Sequence, residues 1–231
     1  MRFPLDFVMS NAKHMVGQRA KGRKRYPTVL MLEPLYTCNL ACIGCSVERH
    51  TGKLKDRLPL EKCLEAARLA ESPTVSLGGG EPMVYPELPQ LIQGLIDQGR
   101  HIILCTNALL LDKKLFDIIP PHKQLFINVH LDGMKKTHDY VCDREGVFDK
   151  AVEMIKESKS RGYLTLTNTT IFKQTDMDEV EALCERRRGG VADGQALAVG
   201  RDEIGVRHAH AGGGAVPGED DVAREVDLRK V

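Results

Sequence analysis

The chain has 231 residues, of which 42% are hydrophobic, so it is long enough to bury one core of ordinary size. Its net charge of +1 gives no indication of nucleic-acid binding. No apolar run approaches the ~20 residues that cross a bilayer, and the N-terminus lacks the pattern of a secretory signal peptide. The seven cysteines therefore indicate thiol or metal chemistry in a cytoplasmic protein rather than a disulfide framework.

Residues 1–27 form a basic leader with an amphipathic pattern. The apolar residues are Leu5, Phe7, Val8, Met9, Met15 and Val16, and the basic ones are Lys13, Arg19, Lys21, Arg23, Lys24 and Arg25. A helix over residues 5–16 would lie in a membrane interface, with the basic cluster drawn to anionic lipid, which predicts peripheral contact with the inner membrane. Alternatively, the helix covers the open bottom of a barrel and its basic end is solvated.

Residues 28–186 alternate between strand and helix patterns, which predicts the core domain. Strands are predicted at Val29–Leu32, Thr74–Leu77, His101–Cys105, Leu125–His130 and Leu164–Ile171. Helices are predicted at Leu60–Ala70, Leu88–Asp97, Lys113–Ile118, Val147–Ser160 and Met177–Arg186. Gly162 is predicted to cap the C-terminus of the helix Val147–Ser160. The alternation indicates an α/β fold of parallel βαβ units, either a doubly wound sheet or part of a (β/α) barrel.

The composition changes near Arg187. Residues 187–231 contain no aromatic residue, Met, Ser, Thr, Asn or Cys, and show no helical or strand period. We expect an aberrant, disordered tail, because such a segment buries little apolar surface. A shifted reading frame would explain the composition and would make the chain a truncated, inactive fragment; a natural flexible tail is the alternative.

Cys38, Cys42 and Cys45 form a CxxxCxxC motif on the loop after the first predicted strand. Three thiolates on a short loop can bind three irons of a 4Fe–4S cluster and leave the fourth iron open, whereas a purely structural cluster takes four cysteines. A zinc site with His50 as the fourth ligand is the alternative, although zinc sites commonly use paired CxxC units.

With the segments that follow, the motif resembles the radical S-adenosylmethionine (SAM) superfamily. Gly79-Gly80-Glu81-Pro82 follows the second predicted strand, Thr106-Asn107 the third, and His130 to Gly133 the fourth. All lie at carboxyl ends of strands, where α/β folds bind ligands. The resemblance implies that the cysteines hold a 4Fe–4S cluster and that SAM chelates its open iron. A reduced cluster would then cleave SAM to methionine and a 5′-deoxyadenosyl radical.

Within this superfamily, the sequence of residues 1–186 resembles those of the hopanoid-biosynthesis proteins of the adenosylhopane synthase type. The segments that carry the resemblance are YPTVLMLEPL, CNLACIGC, GGEP, LCTNALLL, VHLDG and GVFDKA. That family adds the 5′-deoxyadenosyl radical to the alkene of diploptene, a triterpene. The resemblance implies a hydrophobic triterpene substrate and an electron donor such as flavodoxin or ferredoxin. The chain departs from the family at Ser46-Val47, where Gly-Lys is expected after the third cysteine, and in the tail from Arg187.

The remaining candidate residues have both functional and structural interpretations. Cys105 would donate hydrogen to the product radical, or be a small buried residue. Gly79, Gly80, Glu81, Thr106 and Asn107 are candidate SAM-binding residues, and Glu81 would meet the SAM amine or orient its loop. Asp132 and Asn168 would bind SAM's ribose or carboxylate, or form a turn and an ordinary strand position.

The other cysteines, Cys63, Cys142 and Cys184, are scattered, so no second cluster is predicted. Another radical SAM reaction, such as peptide modification, is the alternative function; that class often carries additional cysteine clusters toward the C-terminus.

Overall fold

The computed structural model describes residues 4–43, 45, 52–171, 175–188 and 195–196. In this part of the chain, six parallel strands form one sheet in sequential order from β1 to β6. The strands are β1 (Val29–Leu32), β2 (Thr74–Leu77), β3 (His101–Thr106), β4 (Leu125–His130), β5 (Leu164–Asn168) and β6 (Gln195–Ala196). The helices are α1 (Leu5–Ala20), α2 (Leu60–Ala70), α3 (Leu88–Asp97), α4 (Leu111–Lys114), α5 (Lys135–Val141), α6 (Val147–Ser160) and α7 (Met177–Arg188).

The sequential strand order explains the layered architecture. Successive right-handed crossovers in one direction place the connecting helices on the same face of the sheet. There α2 packs against α3 and β1, and α6 packs against β4 and β5. The predicted partial (β/α) barrel of parallel strands with outer helices is therefore confirmed, and the doubly wound alternative, which needs helices on both faces, is excluded for the described residues.

The two faces of the sheet differ in composition, because alternate residues of a strand point to opposite sides. The outer face is buried under the helices and is apolar, with Val75, Leu77, Ile102, Leu104 and Ile127 in the core. The inner face carries both polar and apolar side chains. The register aligns Met31 with Ser76, Ser76 with Ile103, and Cys105 with Asn128, so these five side chains share the inner face.

Element boundaries differ from the sequence prediction where side chains replace the backbone ladder. β5 ends at Asn168 rather than at residue 171, because the Thr169 hydroxyl donates to the Leu131 carbonyl and the Thr170 N–H donates to Asp132. α4 begins two residues early and stops at Lys114. α5 was not predicted, since its sequence, KKTHDYV, has little apolar period.

α1 closes the amino-terminal end of the inner face. The Phe7 ring makes edge contacts with His101 and Phe126, at centroid distances of 5.1 and 5.5 Å. His14 bonds to the Pro27 carbonyl, and Gln18 is buried and donates to Glu71. The leader therefore packs on the bottom of the barrel, as one of the two predictions for it had stated. No described helix combines the length and apolar character needed to cross a bilayer.

The boundary at residue 186 falls inside α7, which continues to Arg188. Gln195 and Ala196 pair with β5 as a two-residue strand within the segment that had been predicted to lack structure. Residues 189–194 and 197–231 lie outside the described residues.

Candidate functional site

The cysteine loop leaves β1 and is bonded directly to the glycine-rich segment after β2. The Gly80 N–H donates to the Leu35 carbonyl at 2.9 Å, and the Glu81 N–H donates to the Thr37 carbonyl at 3.0 Å. Cys38, Cys42 and Cys45 are partly exposed free thiols beyond this point. Gly44 and residues 46–51, including the zinc candidate His50, lie outside the described residues.

Gly79 and Gly80 are required by this close approach. A Cβ on Gly80 would lie 2.1 Å from the Thr37 carbonyl oxygen, and one on Gly79 would lie 2.4 Å from that of Leu35. Gly79 also has a φ of +102°, which side chains rarely adopt. The backbone that these glycines approach is the stem of the cysteine loop. Their contact with SAM stays a prediction.

Glu81 is buried at the centre of the rim formed by β1 to β3. One carboxylate oxygen accepts hydrogen bonds from the Met83 N–H and the Thr106 hydroxyl, and the other accepts from the Asn107 N–H at 2.9 Å. Burial raises the pKa of this carboxyl, and the three hydrogen bonds oppose the shift. Of its two predicted roles, these contacts favour orientation of the loop over direct contact with the SAM amine.

Thr106 and Asn107 connect β3 to the cysteine loop. The Asn107 side chain donates to Asn39 at 2.7 Å, and its oxygen accepts from the Leu109 N–H. Thr106 donates to Glu81 and accepts from the Ala108 N–H. Asn39, inside the cysteine motif, thus has a positioning role that its sequence context did not indicate. The Asn107–Asn39 bond fixes the chain between the first two cysteines.

Asp132 anchors the other half of the rim. Its carboxylate pairs with His130 Nε2 at 2.5 Å and accepts the Thr170 N–H at 2.7 Å. His130 Nδ1 lies 2.9 Å from the Asn168 side chain. Burial lowers the pKa of His130, but the hydrogen bond to Asp132 and the negative charges of Asp132 and Cys42 together outweigh burial and raise that pKa. Asp132 and Asn168 therefore lie together, and their contacts with SAM stay predictions.

Cys105 lies on the inner face near the carboxyl end of β3. Its sulfur is 3.6 Å from the Ser76 hydroxyl and 3.6 Å from the Asn128 amide nitrogen. It is partly exposed, unlike Cys63, which is fully buried in α2 beside Tyr85. Because Cys105 is partly exposed on the inner face of the sheet, its thiol is accessible from the barrel interior. Ser76 and Asn128 were not identified from the sequence.

A group behind the cysteine loop was also missed. Cys142 is buried at the end of α5, packs with Cys42, and has its sulfur 3.6 Å from His138 Nε2. The hydrogen bond from Cys142 lowers the pKa of Cys42 to about 7, whereas burial raises the pKa of Cys38 to about 11. The i,i+4 spacing of His138 and Cys142 was the available signal, but it needed the unpredicted helix.

Comparison with known proteins decides the family. A model of the radical SAM superfamily matches residues 32–186, more than half of the chain. The chain belongs to the radical SAM superfamily. Fe-coproporphyrin III synthase from Methanosarcina barkeri is 26% identical over 144 residues, which are 61% of this chain and 36% of that protein. GTP 3′,8-cyclase 1 from Mycobacterium tuberculosis is 28% identical over 195 residues, 79% of this chain and 53% of the cyclase.

Among solved structures, Streptococcus suis SuiB bound to S-adenosylmethionine superposes with a TM-score of 0.63 at 20% identity, over 80% of this chain and 42% of SuiB. SuiB has also been solved bound to the precursor peptide SuiA. This likeness concerns the fold. The chain spans about a third to a half of the length of these curated relatives.

The cofactors of this radical SAM chain are a 4Fe–4S cluster and SAM. Three free thiols on a loop held at both flanks by hydrogen bonds fit the three cysteine-bound irons. No three His, Cys, Asp or Glu side chains among the described residues lie close enough to hold a single metal ion. A 4Fe–4S cluster does not require the three thiolates to meet at one point, because each of them binds a different iron.

Proposed function

We propose that the chain is the core of an enzyme that adds the 5′-deoxyadenosyl radical to a hopanoid alkene, giving adenosylhopane from diploptene. The proposal rests on the resemblance of residues 1–186 to the hopanoid family and on one structural observation. That observation is the Cys105 thiol, which faces the barrel interior beside exposed apolar side chains.

The site residues have separate tasks in this reaction. Cys38, Cys42 and Cys45 would hold the cluster, which when bound would supply the electron that cleaves SAM to methionine and the 5′-deoxyadenosyl radical. Glu81 and Asn107 hold the cysteine loop against β2 and β3 through the bonds described above. The inner face of the sheet positions the alkene.

The inner face suits an apolar substrate. Val29 and Met31 project from β1 to the same side as Ser76 and Cys105, and Met31 is 67% exposed. Ile103, on β3, lies on the same face, between Ser76 of β2 and the strand β4. A fused hydrocarbon would cover these side chains and gain about 25 cal/mol for each Å² of apolar surface removed from water.

Cys105 completes the reaction as a hydrogen-atom donor. Addition of the radical to the alkene forms a C–C bond and leaves a tertiary carbon radical. The Cys105 S–H bond then breaks homolytically, its hydrogen forms the new C–H bond, and a thiyl radical remains on sulfur. One further electron, from a flavodoxin or ferredoxin, and one proton restore the thiol, so each turnover uses two electrons in total.

The test is anaerobic reconstitution with SAM, a reductant and diploptene in D2O, followed by mass analysis. Thiol hydrogens exchange with solvent, so the adenosylated triterpene should carry one deuterium at the new tertiary carbon. Cys105→Ala should still cleave SAM and form the C–C bond, with altered yield or stereochemistry. The buried Cys63→Ala variant is the control and should behave as wild type. SAM cleavage without any triterpene adduct would contradict the proposed substrate.

Peptide modification is the second candidate, and it is supported by the SuiB structure with a precursor peptide and by a relative that is named a maturase. Mycofactocin maturase MftC from Mycobacterium tuberculosis is 25% identical over 69% of this chain. Competition separates the two candidates. If a triterpene binds the inner face, diploptene should suppress abortive 5′-deoxyadenosine formation, and hydrophilic peptides should have no effect.

Delivery of a membrane-soluble substrate would use α1, which we propose as a peripheral membrane contact of a cytoplasmic enzyme. Its inward face is aromatic and polar, with Phe7, His14 and Gln18. Its outward face is apolar and carries Leu5, Val8, Met9, Ala12 and Val16, all exposed. This is the reverse of an ordinary surface helix, whose apolar stripe faces the core. Exposed Lys13, Arg19, Lys21, Lys24 and Arg25 flank it, and anionic lipid complements their charge.

Liposome flotation tests this contact. Arg23 must be kept, because it pairs with Glu71 at 2.8 Å and bonds to Gln18. The triple variant Lys21→Gln, Lys24→Gln, Arg25→Gln should lose binding to anionic vesicles, and so should Val8→Ser with Val16→Ser. Binding should weaken with salt. Equal flotation of wild type and both variants, or no flotation of the wild type, would make the leader purely structural.

A further inference from the structure

The buried group behind Cys42 has a defined direction of hydrogen bonding. The Asp132 backbone N–H donates to His138 Nδ1 at 3.1 Å. Because a backbone N–H can only donate, Nδ1 must be the acceptor and the ring proton lies on Nε2. Burial lowers the pKa of His138 to about 4, which keeps the ring neutral at physiological pH.

The ring proton of His138 faces the sulfur of Cys142. The Nε2 to sulfur distance is 3.6 Å, within the range of a hydrogen bond to sulfur, so the Cys142 sulfur is an acceptor on this side. Its own S–H is then free to point elsewhere. Cys142 has only 2% of its surface exposed, and its neighbours include Cys42 and Leu40.

Cys42 is held against Cys142 by the backbone. The Ile43 N–H donates to the Val141 carbonyl at 2.8 Å, which joins the residue after Cys42 to the residue before Cys142. The side chains of Cys42 and Cys142 pack against each other. A cysteine that binds iron is a thiolate without a proton, so with Cys42 as a ligand the only thiol proton available between the two sulfurs is that of Cys142.

We infer that Cys142 is a positioning residue that donates an S–H hydrogen bond to the cluster ligand Cys42, that His138 orients it, and that this bond raises the reduction potential of the cluster. Reduction adds negative charge to the cluster and its thiolates, and a donor to one sulfur stabilises that charge. Hydrogen bonds to the sulfurs are among the factors that set the potentials of iron–sulfur clusters. The inference rests on Cys42 as a ligand and is independent of the hopanoid substrate.

The same network connects the reduction potential of the cluster to Asp132, on the β4–β5 side of the rim. The Asp132 N–H that fixes the His138 ring belongs to the residue whose carboxylate pairs with His130. A ligand that moves Asp132 would therefore also move the donor to Cys42. The geometry provides a physical route by which occupancy near Asp132 and Asn168 can alter the ease of cluster reduction.

The test is an anaerobic redox titration of the reconstituted cluster followed by electron paramagnetic resonance, without substrate. A net hydrogen bond of about 0.5–1.5 kcal/mol predicts that Cys142→Ala lowers the reduced-to-oxidised ratio at a fixed potential by about 2- to 13-fold; a tenfold change equals about 59 mV for one electron. Cys142→Ser retains a donor and should fall between Cys142→Ala and wild type. Cys63→Ala, a buried cysteine in α2, should leave the midpoint unchanged.

A second measurement uses the wild-type protein and does not depend on the folding of a variant. Electron–nuclear double resonance of the reduced cluster should show an exchangeable proton coupling near Cys42 that disappears in D2O. The same coupling should be missing in Cys142→Ala, whose iron content should remain at about four per chain. Equal midpoints for wild type, Cys142→Ala and Cys63→Ala, or the absence of the coupling from the wild type, would overturn the inference. Retention of four irons in Cys42→Ala would instead refute the ligand assignment.

Discussion

The two halves of the carboxyl-end rim hold the same cysteine loop by different chemistry. On the side of β1 to β3, the buried Glu81 carboxylate accepts only from backbone N–H groups and a hydroxyl, and no cation is bonded to it among the described residues. On the side of β4 and β5, Asp132 pairs with a histidine, and a second histidine contacts Cys142. The first half is a fixed brace, whereas the second contains groups that can exchange protons.

The largest expected effect of breaking the brace comes from Glu81→Ala. It would leave two backbone N–H groups and the Thr106 hydroxyl without their partner in a buried site. Hydrogen bonds to charged groups are worth about 1.5–3 kcal/mol each, so we expect the free energy of unfolding to fall by roughly 3 kcal/mol or more. Urea denaturation of the apoprotein measures it. Glu65→Ala, which removes an exposed pair with Lys62, should cost less than about 1 kcal/mol. Similar losses in both variants would remove the special role of Glu81.

The second effect comes from the contact between the glycine-rich segment and the loop stem. Gly80→Ala would place a Cβ 2.1 Å from the Thr37 carbonyl oxygen, which is backbone and must move. Overpacking of this kind costs about 1–3 kcal/mol. The shift should also reduce iron bound after reconstitution. Gly78→Ala is a matched control two residues away, where no atom lies within 4 Å of the added Cβ. Both variants should fold, and equal iron content would contradict the account of this contact.

The third effect belongs to the histidine half and depends on pH. His138 has a pKa lowered from 6.5 to about 4 by burial, so the unfolded chain binds a proton that the folded chain rejects. Its contribution to stability is present above pH 6.5 and is lost as the pH falls from 6.5 toward 4, by an amount on the order of 3 kcal/mol or less. Stability measured at pH 7 and pH 5 should differ less in His138→Gln than in wild type. His122→Gln, at a partly exposed histidine, should retain the wild-type difference.

The sequence predicted the parts of this rim that depend on pattern. Strand periodicity located β1 to β5, and Cys38, Gly80, Asn107 and Asp132 each follow a strand, which was enough to predict a shared rim. Parallel strands bring their carboxyl ends together whatever the loops contain. The family was predicted from these motifs and is confirmed for residues 32–186.

The contacts within the rim were not predictable, because they depend on distances between loops. Glu81 was expected to contact either SAM or its own loop, and only the structure shows that both of its oxygens bond within the protein. The partnership of Cys142 with Cys42 joins residues one hundred positions apart through α5, a short polar helix with no apolar period. The reversed orientation of α1 was also hidden, since an amphipathic pattern does not show which face points inward.

The central claim is that the loop held by both halves of the rim binds the cluster that cleaves SAM. Its most direct test is anaerobic reconstitution of wild type and of the single variants Cys38→Ala, Cys42→Ala and Cys45→Ala, with iron and 5′-deoxyadenosine measured after addition of SAM and dithionite. Wild type should bind about four irons and form 5′-deoxyadenosine. Each variant should form none, while Cys63→Ala should match the wild type. Normal SAM cleavage by any of the three loop variants would contradict the account.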